Sequence, residues 1–246
     1  MPIKVITIDF WNTLFDSSNG QERNKIRNEA IYRAIAQADS TITEKQIKDA
    51  ISASWAHFND KWLKEMRTPL PRESVEFFWD YLKLPENEFA INQVVDAFEN
   101  AVLKLPPKLM KNAAYAVKEL SKEYKLGIIS DTGFSPGYIL QEVMKQAGIY
   151  DYFSAFSFSD ETGVSKPHPK AYHRILGALN VEPSEALHIG DIEKTDIEGA
   201  VNLGMKAIRF SGDPNTIVKS NSPQTRANAE CFDWNDVIIE IRKLNV

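Results

Sequence analysis

Pro2-Ile3-Lys4-Val5-Ile6-Thr7-Ile8-Asp9-Phe10-Trp11-Asn12-Thr13-Leu14-Phe15-Asp16 is the stretch that decides how this chain folds. Pro2 to Ile8 reads as a buried strand, β-branched and apolar, and the run stops at Asp9. A carboxylate at the C-terminal end of such a strand points into a crevice. Ligands collect there in open α/β sheets, and an Asp in that place can attack an electrophile to form a covalent aspartyl intermediate.

Outward from Asp16 the period changes. From about Gln21 to Leu105 apolar residues recur at helical spacing, with breaks near Ser40, at Pro69-Leu70-Pro71 and at Leu84-Pro85. Ile31, Ile35, Ile47, Ile51, Trp55, Phe58, Trp62, Phe77, Phe78, Tyr81, Phe89, Val94, Val95 and Phe98 are enough to build a separate helical core. Pro106-Pro107 reads as the return linker. Strands are then expected at Leu126 to Ser130, Ala155 to Phe158, Ala186 to Ile189 and Lys206 to Phe210. Between and around them helices are expected from Lys108 to about Tyr124, and at Pro136 to Gln146, Pro169 to Leu179, Thr195 to Leu203 and Trp234 to Lys243. This alternation predicts an α/β fold: a doubly wound, mainly parallel sheet built from residues 1–16 and 106–246, interrupted after its first strand by an all-helical insert at 17–105. Asn215 to Ala229 reads as a polar surface excursion before an edge strand near Glu230 to Phe232.

Composition narrows the function classes. A net charge of −5 without a basic run or basic helix face argues against nucleic acid, so an anionic small-molecule substrate must be met by local cations. Cys231 is the single cysteine, which excludes an internal disulfide and fits a reducing compartment. No stretch of eighteen apolar residues suggests a membrane span, and the expected location is cytoplasmic.

Three further strand ends carry chemistry. Ser130-Asp131-Thr132-Gly133 supplies hydroxyls and backbone N–H groups, and Ser135-Pro136 reads as the N-cap and first residue of a helix whose N-terminus favours an anion. Lys166, in Val164-Ser165-Lys166-Pro167-His168-Pro169, is a fixed ammonium able to hold Asp9 ionised and neutralise charge on a transferring group. Gly190-Asp191 is followed five residues later by Asp196. Carboxylates on adjacent strand ends hold Mg²⁺, which takes one or two of them and completes its octahedron with other oxygens. Thr195-Asp196-Ile197-Glu198 also fits a capping box, and His188, inside an apolar strand, reads as a hydrogen-bonded structural histidine.

Taken in order, these four segments resemble the four motifs of the haloacid dehalogenase (HAD) superfamily, with a helical cap inserted between the first and second. The family's first motif is Asp-x-Asp-Gly-Thr-Leu. Here the second Asp, the acid and base of its phosphatases, is Trp11, and the Gly is Asn12. The resemblance implies a hydrolase with Asp9, Lys166 and Asp196 as catalytic residues. It also implies Thr13, Ser130, Asp131, Thr132 and Lys166 around the substrate's phosphoryl oxygens, and Mg²⁺ held by Asp9, the Trp11 carbonyl and Asp191. Whether the protein is a monomer or a homodimer stays open.

Trp11 divides the possible activities. Its indole donates one N–H and accepts no proton, so an alkoxide leaving group loses acid catalysis worth about 10²- to 10⁴-fold. In haloacid dehalogenases, which carry an aromatic residue there, halide leaves without a proton; phosphonatases use a cap lysine, for which Lys45, Lys48, Lys61 and Lys64 are available. Asp191 and Asp196 argue the other way, since clustered acids without a cation are costly. The expected activity is therefore a Mg²⁺-dependent phosphatase of a small phosphorylated metabolite acting through an aspartyl-phosphate. The alternatives are a 2-haloacid dehalogenase-like hydrolase and a non-catalytic phospho-ligand-binding protein. Asp131 is the nearest substitute acid by motif position, and Arg67 a cap cation able to meet an anion.

Overall fold

A computed structural model of the protein describes residues 1–39, 41–214 and 224–245. Among these, six strands form one sheet: β1 (Val5–Ile8), β2 (Lys125–Ser130), β3 (Phe153–Phe158), β4 (Ala186–Gly190), β5 (Lys206–Phe210) and β6 (Ala229–Cys231). Their order is β3-β2-β1-β4-β5-β6, with every pair parallel. Ile8 of β1 lies opposite Ile128 on one side and Ile189 on the other. The chain thus leaves β1 in both directions across the sheet, and the crevice that such a reversal creates opens at Asp9.

Between β1 and β2 the described chain is helical: α1 (Gly20–Ala38), α2 (Glu44–Glu65), α3 (Pro71–Tyr81) and α4 (Glu88–Lys104). The boundaries follow local chemistry. A Thr43–Gln46 capping box starts α2, Met66 ends it in the left-handed region, and Pro71 starts α3. Ile31, Ile35, Ile47, Phe58, Phe78, Val94 and Phe98 are buried together with Trp79 and Ala50. Tyr81 and Phe89, expected in that core, are 50% and 71% exposed, because they stand at the last turn of α3 and the first of α4.

Packing divides the chain into two units, a sheet unit (Met1–Ser18, Pro107–Asp131, Met144–Val246) and a helical unit (Asn19–Pro106, Thr132–Val143). Residues 132–143, which sequence alone left with the sheet, group with the helices for an evident reason. The Phe134 ring centre lies 4.9 Å from those of Trp55 and Phe98 and 5.6 Å from that of Phe58. The expected Ser135 N-cap is not formed. Its hydroxyl donates to the Glu99 carbonyl at 3.1 Å, and α6 (Gly137–Gln146) starts one residue after Pro136.

In the sheet unit α5 (Ala113–Leu120), α7 (Ser159–Thr162), α8 (Pro169–Leu179), α9 (Glu198–Asn202) and α10 (Trp234–Leu244) complete the described α-helices. Where an α-helix was expected from Thr195, a π-helical turn at Glu193–Ile197 precedes α9. Residues 215–223 of the polar excursion lie outside the described residues. Beyond them, Thr225 and Arg226 are tied to buried Glu193, each at 2.7 Å. Cys231 is buried on β6, and burial pushes its thiol up to about 12, which leaves it inert as a nucleophile at neutral pH. No helix among the described residues is long and apolar enough to cross a membrane.

Candidate active site

Asp9 is fixed from its backbone outward. Its N–H donates to the Ile189 carbonyl at 2.8 Å, and its side chain is buried at 6% exposure. Lys166 follows α7 in the loop that leads into α8, ahead of a cis Lys166–Pro167 bond, and is equally enclosed at 3%. Its ammonium donates to Asp9 Oδ1 at 2.5 Å and to Asp196 Oδ1 at 2.6 Å. Three of the four motif segments therefore converge on one nitrogen. The remaining one contributes through Asp131, whose Oδ1 accepts the backbone N–H of Lys166 at 2.9 Å. Asp131 thus helps hold the loop that carries Lys166.

Burial decides the charges. It pushes the Asp9 carboxyl up, Lys166 pulls it down and Asp196 repels it, leaving it at about 7. Burial opposes the charge of Lys166, yet Asp196 and Asp9 hold its ammonium well above the ordinary range. Asp196 is the opposite case. Burial disfavours its charge, but Lys166 and His188 outweigh that and hold it below the usual carboxylate range.

Asp196 owes its position to a relay that crosses the sheet. Its Oδ2 accepts from the Ile192 N–H at 3.0 Å and the Thr195 hydroxyl at 3.1 Å, and its Oδ1 meets His188 Nε2 at 3.0 Å. His188 Nδ1 in turn lies 2.9 Å from the Thr7 hydroxyl, its register partner on β1. Burial lowers the His188 pKa, so the ring is neutral. One arrangement satisfies both partners: Nε2–H donates to Asp196 and Nδ1 accepts from Thr7. Gly190 is required here, because a Cβ would stand 2.5 Å from Asp196 Oδ1. The expected capping box is absent; Asp196 lies inside the π-helical turn, facing the cluster.

Asp191 has no such support. Its Oδ2 accepts from Asn12 Nδ2 at 3.4 Å, while burial first, then Asp196 and Asp9, push its carboxyl well above the ordinary range. Asn12 sits at φ 56°, a left-handed conformation that Gly, or failing that Asn, adopts readily, and this accounts for the residue that replaces the family's Gly. Thr13 is fully buried, its backbone carbonyl fixed by Trp234 Nε1 at 3.0 Å, and its hydroxyl has no partner. Ser130 is buried, and its hydroxyl makes only a 3.5 Å contact with the Asp131 carbonyl. Trp11 is half-buried, edge-on to Phe10 at 4.9 Å. Thr132 is buried and groups with the helical unit.

Among the described residues no three His, Cys, Asp or Glu side chains form a ready-made metal cluster. Mg²⁺ does not need one, since one or two carboxylates plus carbonyl, water and substrate oxygens suffice. Asp9, buried, and Asp191, half-buried, fit that requirement as acids that repel each other, with Lys166 bonded to Asp9 and Asp196 rather than to Asp191.

The cap cations proposed from sequence are differently placed. Arg67 is paired with Glu73 at 2.6 Å. Lys48 pairs with Glu44, Lys61 with Glu65 and Lys64 with Asp60. None of these three lysines is the desolvated, unpaired amine that Schiff-base chemistry needs. Thr7 and Tyr172, whose hydroxyl donates to the Thr195 carbonyl at 2.6 Å, were not singled out from sequence; only the polar Thr7 and His188 within apolar strands hinted at the relay.

Comparison with known proteins places the chain in a family. The family model described as haloacid dehalogenase-like hydrolase matches residues 3–204. The chain is similar to a glyceraldehyde 3-phosphate phosphatase of Pyrococcus abyssi, 32% identical over 214 residues, covering 85% of this chain and 81% of that protein. Among solved structures it resembles Bacillus subtilis YfnB bound to magnesium, with TM-score 0.63, 16% identity and coverage of 98% and 99%. It also resembles a 2-haloacid dehalogenase of Pseudomonas syringae pv. Tomato, with TM-score 0.66, 20% identity and the same coverage. Both likenesses are of fold.

Proposed function

The chain belongs to the haloacid dehalogenase-like hydrolase family, and on that premise we propose that it is a Mg²⁺-dependent phosphatase of a small phosphorylated metabolite that works through an aspartyl-phosphate on Asp9. The observation that carries this reading is the buried Asp9–Lys166–Asp196 cluster with the Asp191 carboxyl, which makes no ion pair among the described residues, beside it. A haloacid, itself a carboxylate, would add one more anion to that set; a metal relieves it.

In the proposed reaction an Asp9 oxygen attacks phosphorus as the ester P–O bond breaks, and water then attacks the same phosphorus to free Asp9 and release phosphate. Lys166 holds Asp9 and offsets charge on the phosphoryl group, and the unpartnered Thr13 hydroxyl donates to a phosphoryl oxygen. Asp9, the Trp11 carbonyl and Asp191 would hold Mg²⁺, which when bound neutralises the carboxylates and the phosphoryl oxygens. Nothing on Trp11 protonates the leaving alkoxide, so good leaving groups are favoured. Accordingly, Trp11→Asp is expected to speed turnover of alkyl phosphates by about 10²-fold relative to acyl phosphates. Equal effects on both, in steady-state assays, would remove this account of Trp11.

Metal uptake gives a second expected result. Asp9 at about 7 and Asp191, raised as well, carry pKa values above those of the unfolded chain, so without metal their contribution favours folding at low pH and is lost as pH rises through the folded value. Mg²⁺ competes with those protons, and its thermal stabilisation should be larger at about pH 8 than at about pH 5. A Mg²⁺ shift independent of pH, or equal in Asp191→Asn, would contradict the assignment.

The test of the function itself is phosphate release from a panel of acyl, aryl and alkyl phosphates, glyceraldehyde 3-phosphate among them. Chelator-sensitive release is expected. Halide release from 2-haloacids without added metal would instead establish the dehalogenase reading that Trp11 favours.

A further inference from the structure

Within the helical unit, α1 to α4 and Phe134 line a partly open cavity of about 90 Å³. Trp55, Phe98 and Phe134 give it an aromatic wall, and Arg27 reaches it from α1. The guanidinium lies 5.1 Å from the centre of the Phe134 ring, donates through Nη1 to Asn24 Oδ1 at 2.9 Å and through Nε to the Phe98 carbonyl at 3.3 Å. Both acceptors are neutral. No carboxylate pairs with Arg27 among the described residues, and Nη2 meets no acceptor there, whereas Arg67, Arg72, Lys48 and Lys61 of the same unit all have acidic partners. Burial, together with repulsion from Arg23 one turn earlier, brings the Arg27 pKa down to about 10. A second, independent feature lines the same cavity. Ser74 is 3% exposed, and its hydroxyl has no partner.

A partly desolvated cation and an orphaned hydroxyl on one small cavity are costly unless something anionic completes them. We propose that this cavity binds the anionic end of a small organic ligand, a carboxylate or phosphate on a short apolar or aromatic body, through Arg27 Nη2 and the Ser74 hydroxyl. The cavity is several times roomier than the ~10–15 Å³ that one water requires, which leaves space for an anionic head on a short body. The aromatic wall matches the body and Arg27 the head. This site is separate from the Asp9 reading and stands or falls without it.

Fluorine NMR titration of the full chain with trifluoroacetate tests it. Saturable binding is expected, weakened about tenfold or more in Arg27→Met, partly restored in Arg27→Lys and weakened several-fold in Ser74→Ala. Neutral trifluoroacetamide should bind about tenfold or more weakly. Asp9→Asn should leave trifluoroacetate binding intact. Equal binding by the wild type and Arg27→Met, or loss of binding in Asp9→Asn, would overturn the proposal.

Discussion

Replacing Asp9 by Asn is expected to lower phosphate release by about 10⁴-fold or more while leaving the fold intact, because the amide cannot form the covalent bond and nothing else in the cluster is a free nucleophile. Lys166 keeps Asp196 as its counter-charge, and the ion pair Asp9 gives up carries a large burial cost. Without metal the variant should therefore be as stable as the wild type or more so at about pH 8, where wild-type Asp9 is ionised against burial. Urea denaturation beside the activity assay separates the two effects. A variant that unfolds, or one that keeps every activity, would mean that Asp9 serves structure rather than covalent catalysis.

Lys166→Met is expected to cost both activity and stability. Two carboxylates, Asp9 and Asp196, would be left buried without the ammonium that lies within 2.6 Å of each. Removing one partner of such a cluster typically costs about 3–5 kcal/mol, far more than the intact cluster contributes. The sign with pH follows from the same charges. Without Lys166 both carboxyls titrate higher in the folded state, so the stability deficit should shrink as pH falls from about 8 to about 5. Adding Asp9→Asn should recover part of it, because one of the two stranded charges is gone. A deficit independent of pH, and unchanged in the double variant, would show that the loss is one of packing.

Much of this site was legible because chemistry stands where periodicity stops. The apolar run of β1 ends at Asp9, that of β2 at Ser130-Asp131, that of β4 at Gly190-Asp191, and each end faces the crevice at the switch in strand order. Even the departure at Asn12 has a local explanation in its φ of 56°. What escaped sequence reading depends on register and on which helix face finds a partner. Thr7 and His188 meet only because β1 pairs with β4 across 181 residues of chain. Helical spacing placed Tyr81 and Phe89 in a core that does not cover them, and it gave no sign that Phe134, just past the second motif, packs among the helices. Motif position offered Asp131 as a substitute acid but gave no sign that it accepts a backbone N–H from 35 residues away.

The central claim is that Asp9 becomes phosphorylated. Rapid quenching of the enzyme in acid during turnover of an acyl phosphate, followed by peptide mass spectrometry, reads this directly. The expected result is a phosphoryl group on the peptide carrying Asp9, present with Mg²⁺, absent with chelator and absent in Asp9→Asn. Turnover at full rate with no label on that peptide, or with the label on another residue, would contradict it.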